Sequence, residues 1–226
     1  MPTRTHKDAC IDKLQKHPKV RVCATDMDGI LRGKYMHTKK VLSSLEEGFG
    51  FCSVIFGWDS NDVCYDNSTF SGWHNGYPDT LAKPDLRAQR SIPWNNNIPL
   101  LLADFWLPKD KPLPICPRQI LKRVEERAAN LGFQTNIGVE FEWFNFQETP
   151  ESLKEKAFRT PKPLTPGMFG YSILRSSLYQ QYFDQIIDFM NAAEVPLEGL
   201  HTETGPGVYE AALRSTTALE AGDRAD

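Results

Sequence analysis

The sequence predicts an α+β protein. Three observations carry this: a β-branched, alternating stretch at Val20–Thr25 resumes at Ile30–Met36 after the turn-forming run Asp26-Met27-Asp28-Gly29; apolar strands recur at Ile98–Trp106 and Asn136–Phe146; and helix-spaced segments occupy Arg118–Leu131 and Ser176–Ala193. With 226 residues, 40% of them apolar, the chain can bury roughly 70% of its unfolded surface. One or two cored domains follow. Lys and Arg total 26 against 29 Asp and Glu, a formal net charge of −3 with the signs interspersed, so nothing marks a nucleic-acid surface or a polybasic membrane patch. The five cysteines, Cys10, Cys23, Cys52, Cys64 and Cys116, lack both zinc-site spacing and the density of a disulfide scaffold, and read as reduced thiols. The N-terminus is polar and no run of about 18 apolar residues occurs, so a cytoplasmic protein without a membrane span is expected.

Residues 1–19 read as a lead-in with one weakly amphipathic stretch, and the hairpin Val20–Met36 follows. Thr38 can cap a helix through Leu45, and Gly48 stops it. Phe51–Trp58 returns to strand. Asp59–Asn97 is rich in Asp, Asn, Gly, Pro and Ser and reads as one long irregular loop; such loops are functional or disordered, and Tyr65, Phe70, Trp73, Tyr77 and Trp94 argue against disorder. The proline-punctuated connector Pro108–Pro117 marks a domain boundary, and Gly132 stops the helix after it. Glu151–Phe169 reads as an irregular charged insert. Ala211–Ala225 has the pattern of the opening turns of a helix without a cap or closing element, from which an incomplete chain is expected.

Two acidic pairs point to chemistry. On a strand, Glu140 and Glu142 share a face, because successive side chains alternate, and Phe144 and Phe146 continue that face and suggest that it is covered. Adjacent carboxylates on a covered face repel and resist desolvation unless protonated or bound to a cation; on an open face they are ordinary solvated acids. In His201-Thr202-Glu203-Thr204-Gly205-Pro206-Gly207-Val208-Tyr209-Glu210, a reversal about Pro206-Gly207 sets Glu203 opposite Glu210. Opposed like charges destabilise a ladder, and a metal reverses that cost. Four carboxylates with few nitrogen or sulfur ligands nearby favour Mg2+ or Mn2+ over zinc.

The combination of Gly138-Val139-Glu140-Phe141-Glu142 with Glu203-Thr204-Gly205-Pro206-Gly207-Val208-Tyr209-Glu210 resembles the paired metal-binding strands of class I glutamine synthetases and the related gamma-glutamylpolyamine synthetases. The resemblance runs from about Val20 to the last residue. Thr25-Asp26-Met27-Asp28-Gly29 with Arg32-Gly33-Lys34 is similar to that family's first hairpin, and Tyr65-Asp66-Asn67-Ser68-Thr69-Phe70-Ser71-Gly72-Trp73 to its amine-site loop.

The resemblance implies a β-grasp domain over 20–112, then the first, incomplete part of a glutamine synthetase-type catalytic domain over 113–226. It implies ATP and divalent metal as cofactors, with glutamate and ammonia or another amine as substrates. Glu142, Glu203 and Glu210 resemble ligands of the metal that positions glutamate, and Glu140 a ligand of the metal on the ATP phosphates. Glu198 and Tyr171 resemble residues near the nucleotide; by themselves Glu198 reads as an exposed loop acid and Tyr171 as a packed aromatic. Asp66 would bind and deprotonate the amine, with Thr69 and Trp73 shaping its site; by itself Asp66 reads as a turn residue. Asn67 and Thr69 stand where the family has glycine and serine, which leaves the amine open. The reaction implied is phosphoryl transfer to the glutamate side chain, then amine attack on the acyl phosphate, by a ring-shaped homo-oligomer in which Asp66 serves a neighbouring subunit's site. The family also uses a later histidine, glutamate and arginines, so this chain alone is expected to be inactive.

Two other readings compete. A glutamine synthetase fold can persist as a non-catalytic structural or regulatory subunit. Alternatively, Val20–Gly29, a strand ending in Asp26-Met27-Asp28-Gly29, resembles the nucleophile motif of haloacid-dehalogenase-like phosphatases, which need a later lysine and a paired acidic motif.

Overall fold

A computed structural model describes residues 5–226 of the chain. They form two compact units: the first holds the described residues up to Asn136 together with Thr216–Asp226, the second Ile137–Ser215. Met1–Arg4 of the expected lead-in lie outside the described residues; the rest of it contains helix α1, His6–Gln15, whose Thr5–Asp8 capping box satisfies its first amides.

In the first unit the predicted hairpin forms as β1, Lys19–Thr25, against β2, Leu31–His37. Asp26 organises its turn: the buried carboxylate accepts from the amides of Asp28 and Ile30, both at 2.9 Å, and from Arg32 Nε at 2.7 Å. Replacing Asp26 with alanine leaves three donors without their acceptor and is expected to lower stability by about 2–3 kcal/mol, read as a shift of the urea midpoint at unchanged slope.

Helix α2, Thr38–Glu47, ends at Gly48, whose φ of 74° lies in the region glycine favours. Its cap is His37, whose ring accepts from Lys39 N; Thr38 instead donates to His17 O. Strand β3, Phe49–Cys52, is shorter than expected, because Ser53–Phe56 tightens into a 3-10 turn.

The long loop expected over Asp59–Asn97 is irregular only up to Pro78. Its second half is β4, Asp79–Ile92, a 14-residue strand lying between β3 and β5, Ile98–Leu107. Pro84, Asp85 and Arg87 are poor strand formers, and ladder pairing overrides that local preference, at the cost of an irregularity between Asp85 and Arg90. The sheet order is β2-β1-β5-β4-β3, with β1 and β5 parallel and the short β6, Lys111–Pro112, added to β5. Val20, Val22, Leu101, Ala103 and Phe105 pack beneath Leu14 and Val41 to make the core.

Helix α3, Pro117–Asn130, matches its predicted span to within a residue, but its face is inverted. Ile120, Val124 and Leu131 are exposed, while Arg118 and Gln119 are buried. An ionic cluster turns the helix that way. Arg118 meets Asp223 twice at 2.7 Å and donates to Asp104 at 2.9 Å and Asp85 at 3.0 Å, and Lys122 reaches Asp85 and Asp104 as well.

The second unit holds β7, Glu140–Phe144, then α4, Pro150–Glu155, within the insert. The single helix expected over Ser176–Ala193 is two: α5, Ile173–Ser177, and α6, Gln180–Ala192. The Ser176 and Ser177 hydroxyls bond back to the carbonyls of Ser172 and Ile173, a local alternative to continuing the helix. Strands β8, Leu197–Thr202, and β9, Val208–Leu213, complete an antiparallel sheet in the order β7-β9-β8. The helix expected from Ala211 begins only at α7, Ala218–Ala225, in the first unit, because Ala211–Leu213 are consumed by β9. Among the described residues no helix is long and apolar enough to cross a membrane.

Candidate metal centre

The three-stranded sheet of the second unit has one covered face and one open face. Tyr209 of β9 points to the covered side, with the Phe183 ring of α6 centred 4.9 Å away and Trp143 and Tyr182 beside it. Burial, and then the neighbouring Tyr179 and Tyr182, push the Tyr209 phenol up to about 12, so this side stays neutral.

Alternation places the glutamates on the other face. In the ladder Glu142 lies opposite Glu210, and Glu210 opposite His201, so one row across the sheet reads Glu142, Glu210, His201. Glu140 stands one row away, across from Ala212. This face is not covered as expected. Glu140 and Glu142 are exposed, and Phe144, 63% exposed, stacks on Phe146 with ring centres 5.9 Å apart instead of sinking into a core. Phe183 of α6 meets the sheet on the Tyr209 side.

The reversal after β8 also differs from the expected one. Pro206-Gly207 does occupy the centre of the turn, with Val208 N bonded to Gly205 O and Gly207 at φ 76°. Yet Glu203 N meets Val208 O at 2.8 Å, so Glu203 faces Val208 and not Glu210. A type II turn has the wrong twist for a two-residue hairpin, and the ladder closes around the longer loop Thr204–Gly207. The displacement is an even number of residues. It therefore keeps Glu203 on the carboxylate face, diagonal to Glu210.

As a result His201, Glu203 and Glu210 each bring a ligand atom to within 4.8 Å of the others, all three half-buried. His201 Nε2 is 3.5 Å from Glu210 Oε1, and His201 Nδ1 lies 3.2 Å from Thr202 O. A proton assigned to Nδ1 and donated to that carbonyl leaves the Nε2 lone pair facing the carboxylates. One Glu203 oxygen accepts from Thr204 N at 2.5 Å. Two carboxylates and an imidazole nitrogen suit a divalent cation; an octahedral shell at about 2.1 Å needs donor separations of roughly 3–4 Å, which small side-chain rotations supply.

Sequence reasoning missed His201. It lies inside the recognised motif, but the assumed register gave Glu210 a different partner; a two-residue correction of the ladder identifies it.

The remaining predicted residues fall as follows. Tyr171, at φ 56°, stacks on His201 with centroids 4.3 Å apart, and its N–H donates to Thr202 O at 2.7 Å. Glu198 is exposed at a bulge in β8, where Leu197 pairs with Leu213 and Gly199 with Ala212. Asp66, Thr69 and Trp73 belong to the loop of the first unit; all three are exposed, Trp73 by 84%, with its ring edge-on to Tyr77 at 5.2 Å.

Residues 114–226 match the family described as glutamine synthetase, catalytic domain. The chain belongs to the glutamine synthetase family. Type-1 glutamine synthetase 2 of Dictyostelium discoideum is 52% identical over 213 residues, covering 94% of this chain and 41% of that protein. A glutamate–isopropylamine ligase of a Pseudomonas species is 31% identical, over 95% of this chain and 47% of that one. The chain thus spans less than half the length of these curated relatives, which are named as enzymes of the ligase class. The solved GmaS/ADP complex superposes with a TM-score of 0.74 over 98% of this chain and 46% of its own, at 22% identity, which shows a shared mixed α/β fold.

Proposed function

We propose that this chain carries metal-binding carboxylates of an ATP-dependent carboxylate–amine ligase that forms a gamma-glutamyl amide through an acyl phosphate. The observation that carries this reading is the convergence of Glu203, Glu210 and His201 within 4.8 Å, with Glu142 across the ladder from Glu210. In this reading Glu142, Glu203 and Glu210 hold the Mg2+ or Mn2+ that positions glutamate, Glu140 serves the nucleotide's metal, and Glu198 and Tyr171 lie near ATP. A bound divalent cation screens the repulsion between the carboxylate and the phosphates. Asp66 accepts the proton of the amine, ammonia or a larger one, with Thr69 and Trp73 around it, in the site of a neighbouring subunit of a ring.

The domain reading is part of the proposal: a β-grasp domain over 20–112 and catalytic-domain sequence over 113–226. The hairpin, the helix α2 after it and the parallel β1–β5 pairing support the first. The cytoplasm is the proposed compartment.

The test is calorimetric titration of the chain with Mn2+. Binding that Glu203→Ala weakens is expected; a wild-type chain that takes up no Mn2+, or a variant that binds equally well, rules the reading out. The carboxylate face is open in the isolated chain, so we expect it to bind the cation without turnover. Incubation with ATP, glutamate and hydroxylamine checks this, and hydroxamate formation is the contrary result.

A further inference from the structure

The hairpin tip that carries Glu203 and Glu210 is held from the side by one residue outside the acidic motifs. Asn145 follows β7. Its backbone N–H donates to Gly207 O at 2.7 Å and its side-chain Nδ2 to the same oxygen at 3.2 Å, filling both lone pairs of that carbonyl. Its Oδ1 accepts from Trp143 Nε1 at 3.1 Å and from the Tyr182 hydroxyl at 2.8 Å, and its own carbonyl accepts from Leu164 N at 2.8 Å. The amide cannot be turned round. The indole N–H only donates and the Gly207 carbonyl only accepts, so oxygen must face Trp143 and nitrogen must face the tip. The approach is close enough that a Cβ on Gly207 would collide with Asn145 O.

From this geometry we infer that Asn145 is a positioning residue for the metal centre: it fixes the tip of the β8–β9 hairpin against β7, and so sets Glu203 and Glu210 relative to Glu142. This rests on the metal-binding reading above. Asn145 touches none of the glutamates and acts through Gly207. Its anchor is the aromatic shelf on the covered face, where Tyr182 and Trp143 share Oδ1 and also bond each other at 3.2 Å. The open face thereby takes its geometry from the closed one.

Asn145→Asp keeps an acceptor for Trp143 and Tyr182 but turns a second carboxylate oxygen toward the Gly207 carbonyl, replacing attraction with repulsion. Expected are a Mn2+ affinity about 10-fold weaker, the size of a lost outer-shell partner, and faster amide hydrogen exchange at Glu203 and Val208. Val195→Ala, a core truncation in the same unit away from the tip, should lower the melting temperature without weakening Mn2+ binding. Should Asn145→Asp fail to fold, Tyr182→Phe is measured the same way, with a smaller loss of 2–5-fold, about 0.4–1 kcal/mol. Unchanged affinity and exchange in a folded variant overturn the inference. So does equal weakening by Val195→Ala, which would make the effect one of general stability. If the wild-type chain binds no Mn2+, the metal reading falls and exchange alone decides the latch: unaltered rates at Glu203 and Val208 refute it.

Discussion

Replacing Arg118 with alanine is expected to cost the first unit about 3–5 kcal/mol. Its guanidinium is buried against three carboxylates, from β4, β5 and α7. Removing it leaves those acids with too little positive charge, since among the described residues Lys122, and Arg87 at the surface, remain to face them. The pH dependence follows from Asp85. Burial pushes its carboxyl up, but the Arg87 hydrogen bonds and the charges of Arg118 and Lys122 outweigh this and hold it well below the usual carboxylate range. A folded-state pKa below the unfolded value gives stability that is present above about pH 4 and lost as pH falls through the folded value. In Arg118→Ala that value moves up toward the unfolded one, so Asp85 contributes less at neutral pH and the acid limb of the stability curve should become shallower. Denaturant melts between pH 2 and 7, with amide exchange in α7, which Asp223 ties to Arg118, provide the check. An acid limb identical to wild type would show that Arg118 does not set the acid response. Arg118→Met separates charge from bulk, because a well-packed apolar replacement recovers part of the loss but none of the α7 tether.

The largest functional effect is expected at Glu210. It sits on the central strand, facing Glu142 on one side and His201 on the other, so it belongs to both cross-strand pairs of that row. Glu210→Gln preserves size and strand pairing but removes the charge. It should weaken Mn2+ binding by about 100-fold or more, at or beyond the upper end of what outer-shell partners cost. His201→Ala should weaken it less, since the carboxylates remain. The melting temperature without metal should hold steady or rise in Glu210→Gln, because the variant relieves repulsion between opposed acids. Relaxation enhancement of water protons by bound Mn2+ measures the first effect and calorimetric melting the second. A Glu210→Gln chain that binds Mn2+ as tightly as wild type would remove Glu210 from the ligand set.

Much of the candidate site was legible before any coordinates. The alternation of β7 put Glu140 and Glu142 on one side whatever packed around them, and the proline–glycine turn was correctly centred. The register was not legible, because whether a loop has two residues or four depends on the twist of strands that the loop sequence does not contain. His201 stayed hidden for that reason. The fold shows the same division. The β1–β2 hairpin and α3 follow from periodicity and turn chemistry, whereas β4 looked like a loop because its residues gain strand structure only from β3 and β5 alongside.

The sequence by itself determined the family, the acidic pairs and most element positions, because these depend on residue type and short-range spacing. Only the tertiary structure decided which face of the second sheet is covered, that α3 turns its charged side inward, and that Asn145 clasps the hairpin tip. Each of these joins side chains far apart along the chain, and their free energy comes from burial and hydrogen-bond geometry that exist only once the elements have packed.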